Sequence, residues 1–261
     1  EGDPGMGKTR LLEAVAASAQ RRKLRLAWGQ LAEHESPHRF APLPDILQAA
    51  TAGPPLDRIA EQITPLLRGL LTPLLPRLNT SSVRRSAIEP EKEGVTLPLA
   101  TAVHKLLTLL CQTEPCVLLL DDLQWADDYF WPLLPTLAQV CGERPLLVVL
   151  SFRSQELRNN EVAWTAIQQL ERKFAPHWLT LAGFTVAELG DLATELGQSR
   201  PTEELARLHQ LSGGNPLAVR ELLLSDDAAA SFEKMLAARL AKLSPNERDA
   251  LAAAAVLGRE F

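Results

Sequence analysis

The chain has 261 residues, 46% of them apolar and 23% charged, and a formal net charge of −5. That length gives room for one large domain plus a smaller one, and the acidic balance leaves no whole-chain electrostatic footprint for nucleic acid. No run of about 18 apolar residues suggests a membrane span, and Cys111, Cys116 and Cys141 lack metal-type spacing, so they read as buried thiols of a reducing cytosol.

Gly2-Asp3-Pro4-Gly5-Met6-Gly7-Lys8-Thr9 is a G-x-x-x-x-G-K-T phosphate-binding loop. Such a loop meets a triphosphate with inward backbone N–H groups and the positive end of the next helix. Gly2, Gly5 and Gly7 permit the wrap, Lys8 reaches the β- and γ-phosphates, and the Thr9 hydroxyl ligates Mg²⁺. From Arg10 onward the chain is helical in period, with Leu11, Leu12, Val15, Ala16 and Ala19 on one face. A phosphate loop should follow a β-strand. The expectation is therefore an apolar strand just upstream of Glu1, and poor stability for residues 1–261 alone.

Leu24 to Gln30 alternates and predicts a strand. Ala32 to Pro44 reads as a solvated loop; His34, Glu35 and His38 lack the further ligands a metal site needs. Leu56 to Leu78 is helical in period but interrupted by Pro65, Pro73 and Pro76. Asn79 to Thr96 reads as a polar connector, and Leu97 to Cys111 as a helix burying Leu99, Val103, Leu106, Leu107 and Leu110. Cys116 to Leu120 is a continuous apolar run ending in Asp121 and Asp122, the pattern of a parallel strand buried on both faces. Asp127 and Asp128 can cap the next helix, with Pro132 near its first turn. Pro145 to Phe152 predicts another buried strand, Asn159 to Lys173 a helix, and His177 to Leu181 a short fourth strand.

After Leu181 the pattern is helical. Thr185 and Glu188 form a capping box, and helices are expected at Thr202–Leu211, Pro216–Leu224 and Phe232–Leu243. Ser244, Pro245 and Glu247 start a last helix that stops at Gly258. Strands alternating with helices predict an α/β fold with a doubly wound parallel sheet. Ligands of such sheets sit outside the carboxyl ends of the strands, so Asp121 and Asp122 should share an edge with the loop. Asp121 would hold Mg²⁺ through water and Asp122 would orient the attacking water. Arg153 ends the next strand; it either senses the γ-phosphate or is a surface arginine.

Four stretches in this order, Gly2–Thr9, Leu118–Asp127, Leu147–Arg153 and Gly213–Leu217, resemble the signal-transduction ATPases with numerous domains, a branch of the AAA-like P-loop ATPases. The likeness is strongest to the ATPase module of bacterial LuxR-type, MalT-like and SARP-type transcriptional regulators, and it covers essentially the whole chain. It implies a P-loop ATPase core over residues 1–183, a helical lid subdomain over 184–229, and the truncated start of a winged-helix region over 230–261. Lys8, Thr9 and Arg10 then belong to the nucleotide loop, Asp121 is the Walker B carboxylate and Asp122 its catalytic neighbour. Arg153 falls at the sensor arginine, and Asn215 and Pro216 fall in the motif that meets the adenine side of the nucleotide. Asn215 and Pro216 also read as a plain helix N-cap and first turn.

The resemblance implies a cytoplasmic, slowly hydrolysing ATP/ADP switch with Mg²⁺. Sensor and effector domains outside these residues would be its partners, and nucleotide-dependent self-association is compatible with it. Direct nucleic-acid and membrane binding by these residues is not expected. Two alternatives stand beside it: a nucleotide-holding scaffold without hydrolysis, and an AAA-type motor or loader. The acidic balance and the lack of pore-loop aromatics weigh against the motor. GTP is disfavoured because no Asn-Lys-x-Asp occurs.

Overall fold

In the computed structural model, residues 1–32, 40–52, 59–78, 96–224, 237, 240 and 244–257 are described. They fall into two units, Glu1–Leu181 and Ala182–Phe261. The expected polar connector at 79–95, most of the 32–44 loop with its two histidines, the Phe232–Leu243 helix and the stop at Gly258 lie outside the described residues.

In the first unit β1 (Arg25–Gln30), β2 (Cys116–Asp121) and β3 (Leu146–Leu150) form a parallel sheet in the order β1-β2-β3. β2 is the centre because all six of its residues are buried, which suits a strand covered on both faces. Alternation along it divides two cores. Val117 and Leu119 pack with Leu12, Ala16 and Ala19 of α1 (Lys8–Arg21). Cys116, Leu118 and Leu120 face the larger cluster. That cluster is built by α2 (Leu43–Ala50), α3 (Pro65–Leu71), α4 (Thr96–Thr113), α5 (Leu134–Glu143), α6 (Ser154–Arg158) and α7 (Glu161–Phe174). Helices on both faces of a parallel sheet make this a doubly wound α/β layer.

Local chemistry explains several boundaries. Pro65 does not break a helix but starts α3 behind an N-cap, Thr64, whose hydroxyl accepts from Leu67 N at 3.4 Å. Asn160 caps α7 by accepting from Ala163 N at 3.0 Å, so the single helix expected from Asn159 is preceded by the separate short α6. Ala27 and Gly29 leave room on β1 for α2. A Cβ at Gly29 would lie 2.6 Å from Ile46 Cγ1, so a larger residue would push α2 away. Leu11, expected on the buried face of α1, is 39% exposed. The sheet receives only the Leu12, Ala16 and Ala19 stripe, because one helix face cannot present Leu11 and Leu12 equally.

His177 to Leu181 does not form the expected fourth strand. The Glu1 nitrogen donates to Leu179 O at 2.6 Å and Leu181 N donates to Glu1 O at 2.8 Å. One paired residue is too little for a ladder. Leu147 on β3 is 51% exposed.

Cys111 and Cys116 are buried free thiols. Burial pushes Cys111 up to about 11 and Cys116 up to about 12. Thiolate is the reactive form. Ellman's reagent at about pH 8 is therefore expected to miss both in the folded protein and to reach them in denaturant. Fast labelling of either without denaturant would contradict the packing described.

The second unit is helical among its described residues: α8 (Val186–Glu195), α9 (Thr202–Ser212), α10 (Pro216–Leu224) and α11 (Pro245–Leu257). Leu189, Ala193, Leu205, Leu208, Val219, Leu222 and Leu223 form its core. The capping box is made in full: Glu188 N donates to Thr185 Oγ1 at 3.3 Å and Thr185 N donates to the Glu188 carboxylate at 2.8 Å.

Candidate nucleotide site

The loop between Glu1 and α1 turns through left-handed backbone at Gly5 (φ 82°) and Gly7 (φ 89°), where side chains are rarely tolerated. Gly2 packs against Leu181, with a built Cβ only 3.2 Å from that residue's Cβ and carbonyl. Met6 N donates to Asp3 O at 3.3 Å and closes the turn over Pro4. Successive backbone N–H groups then lead into the N-terminus of α1, the arrangement that cradles an anion.

Lys8 is the first residue of α1 and only 8% exposed. Its Nζ reaches back across the loop and donates to Gly2 O at 2.8 Å and Asp3 O at 3.1 Å. An ammonium has three N–H groups, so one remains for a further acceptor. Burial, followed by the charge of Arg153, holds Lys8 below the usual lysine range; Asp122, Asp121 and Asp3 pull the other way. Arg10 points outward and pairs with Glu13 at 2.8 Å.

Opposite the loop, Thr9 Oγ1 donates to Asp121 Oδ2 at 2.8 Å. Asp121 is fully buried at the end of β2. Its other oxygen, Oδ1, accepts a short hydrogen bond from Ser151 Oγ. Ser151 in turn accepts from Asp122 N at 3.2 Å, so one hydroxyl ties the Asp121 carboxylate to the backbone of Asp122. Asp122 is left-handed (φ 58°, ψ 45°), a conformation that aspartate tolerates better than most residues. Gln124 Nε2 donates to Asp122 Oδ1 at 2.9 Å, while Gln124 Oε1 accepts from Arg153 N at 3.1 Å. With its oxygen committed to an N–H, that amide can only donate to Asp122.

A hydroxyl and a buried carboxylate are hard oxygen donors, and both fit Mg²⁺, which characteristically takes one or two carboxylates and completes its shell with phosphate and water. Among the described residues no cluster of three or more His, Cys, Asp or Glu offers a cage of protein ligands. The chemistry of the donors therefore fits a metal shared with a phosphate ligand.

Of the sequence-derived residues of the first unit, Gly2 to Thr9, Asp121, Asp122 and Arg153 fall in one region, whereas the Arg10 side chain points away to Glu13. Ser151 and Gln124 were not singled out from the sequence. The signal was there for Ser151, a hydroxyl residue directly after the apolar run of β3. Gln124 lies within the Leu118–Asp127 stretch, but its role depends on where two strands end.

In the second unit, Asn215 Oδ1 accepts from Leu217 N at 3.1 Å and Ala218 N at 3.2 Å, so it caps α10 with Pro216 at the first helical position. Gly213 (φ 60°) and Gly214 (φ 73°) precede it. Phe184 N donates to Gly214 O at 2.7 Å, and a Cβ on Gly214 would lie 2.4 Å from Phe184 O. The glycines are needed for this close backbone crossing, which fixes the start of α10.

Among the described residues no helix is long and apolar enough to cross a membrane. Residues 1–149 match the AAA ATPase domain family. No curated protein and no solved structure matches the chain. The phosphate loop and the Asp121 strand end both lie inside the matched residues, and the match spans more than half of the chain: it belongs to the AAA ATPase domain family.

Proposed function

We propose that the chain is the ATP-binding, slowly hydrolysing switch module of a signal-transduction ATPase, acting in the cytoplasm on a transcriptional or other effector domain. The observation that carries this reading is the Thr9–Asp121 hydrogen bond at 2.8 Å with Lys8 beside it. A metal-type hydroxyl and a metal-type carboxylate in contact, next to a phosphate-type cation, support it. ATP and Mg²⁺ are the ligands, held by Gly2 to Thr9 and by Asp121. Asp122 orients the attacking water, and Arg153 meets the terminal phosphate. Asn215 and Pro216 belong to a helical lid over residues 184–229, and the start of a winged-helix region follows over 230–261. Such a module works by changing lid position or self-association between its ATP and ADP states.

A nucleotide-holding scaffold is the second reading. The bond from Gln124 to Asp122 favours it, because a carboxylate oxygen already held by an amide is less free to orient a water. Single-turnover hydrolysis by the full-length protein decides between them. The switch predicts slow conversion of bound ATP to ADP, reduced about a hundredfold or more in Asp122→Asn with ATP binding retained. Intact ATP in both proteins would leave the scaffold.

A further inference from the structure

The side chain of Arg153 is turned onto Glu156. The Arg153 guanidinium donates to Glu156 Oε1 at 2.8 Å, one turn along α6. The contact is one-pronged. Arg153 Nε and Glu156 Oε2 are both buried and have no hydrogen-bond partner among the described residues. A guanidinium has five N–H groups in a planar fork that matches carboxylate or phosphate oxygens in pairs. Here the fork is poorly matched, and a buried donor is left unmet.

The backbone of Arg153 is fixed independently of its side chain. Its N–H donates to Gln124, which also holds Asp122. The residue is thus anchored to the carboxylate edge while its side chain has a choice of partner. Arg153 is also close enough to Lys8 for the two cations to disfavour each other. Like charges brought together around a phosphate loop favour an anion between them.

We propose that Glu156 is a latch on Arg153: a terminal phosphate must displace its carboxylate, so the pair sets how strongly the site prefers a nucleoside triphosphate over the diphosphate. This rests on the nucleotide reading above. A γ-phosphoryl group would offer several oxygens to the unmet N–H donor and would repel the Glu156 carboxylate. A diphosphate ends one phosphoryl group short, leaving the ion pair closed. Glu156 acts through Arg153 and is a positioning residue.

The test is equilibrium binding of a non-hydrolysable ATP analogue and of ADP, each with Mg²⁺, to the full-length protein. The proteins compared are wild type, Glu156→Gln, Arg153→Ala and the double variant. Partly exposed ion pairs are weak, so opening the latch should tighten the analogue by about three- to fivefold. ADP affinity should be unchanged. The gain should vanish when Arg153→Ala is already present, which a merely structural Glu156 would not produce. Equal effects on both nucleotides, no effect on the analogue, or a gain that survives Arg153→Ala would each overturn the latch. Wild type binding neither nucleotide would instead overturn the site reading, and the latch with it.

Discussion

Lys8→Ala is expected to weaken ATP binding by about a hundredfold or more. Lys8 is the buried cation of the phosphate loop, with its Nζ poised between the Gly2 and Asp3 carbonyls. A charge-assisted hydrogen bond to phosphate contributes about 1.5–3 kcal/mol, and Lys8 would serve two phosphates. The variant should still fold, because the carbonyls it abandons lie in a loop that water can reach. Titration with a fluorescent ATP analogue, alongside a thermal melt, reads both. Native-like affinity would sink the whole assignment of Gly2 to Thr9.

The same lysine gives that experiment a pH signature. Burial, and then Arg153, lowers its pKa, so the ammonium is lost at a lower pH than in an ordinary lysine. Phosphate bound beside it restores the charged form. ATP affinity should therefore fall as pH rises through the lowered value, with proton uptake on binding, and Lys8→Ala should abolish that uptake.

Asp121→Asn is expected to remove Mg²⁺ stimulation of hydrolysis, a loss on the order of a thousandfold. Both oxygens of Asp121 are committed, Oδ1 to Ser151 and Oδ2 to Thr9. An asparagine keeps the shape but has one acceptor oxygen and no charge, so it cannot hold both hydroxyls and a divalent cation. The loss should appear in Mg²⁺ titrations of turnover, beside a thermal destabilisation of about 1–3 kcal/mol from the buried hydrogen bond that is lost. If Mg²⁺ stimulated the variant as it does wild type, the metal would have to be held elsewhere. The contrast with Asp122→Asn is informative. Asp121 is fully buried and tied to the loop by Thr9, whereas Asp122 sits in the turn beyond β2 and is tied to Gln124. The first variant should change metal dependence, the second only the chemical step.

Much of this is legible in the sequence. The phosphate loop is a contiguous signature whose geometry follows from its glycines, and its helix follows at Lys8 as the motif requires. The apolar run Cys116 to Leu120 reads as a doubly buried strand, and β2 is buried at every position. Thr185 with Glu188, and Asn215 with Pro216, specify helix starts through bonds made within four residues. In each case partner groups lie close along the chain, so the local sequence contains the whole interaction.

Tertiary structure decided what depends on groups far apart. His177 to Leu181 is expected as a strand, yet a ladder needs paired neighbours along its length, and only Glu1 pairs with it in the described residues. Leu11 and Leu12 look alike in sequence, and the position of the sheet chose Leu12. Ser151 ties Asp121 to the Asp122 backbone only because β3 ends beside β2. Gln124 and Glu156 acquired their roles from where Arg153 emerges. The sequence by itself determined the phosphate loop, the two carboxylates and the α/β alternation, since these are written in spacing and periodicity. Which neighbours restrain Asp122 and Arg153 was decided by strand register and loop direction, because a hydrogen bond is set by distance in space and not by separation along the chain.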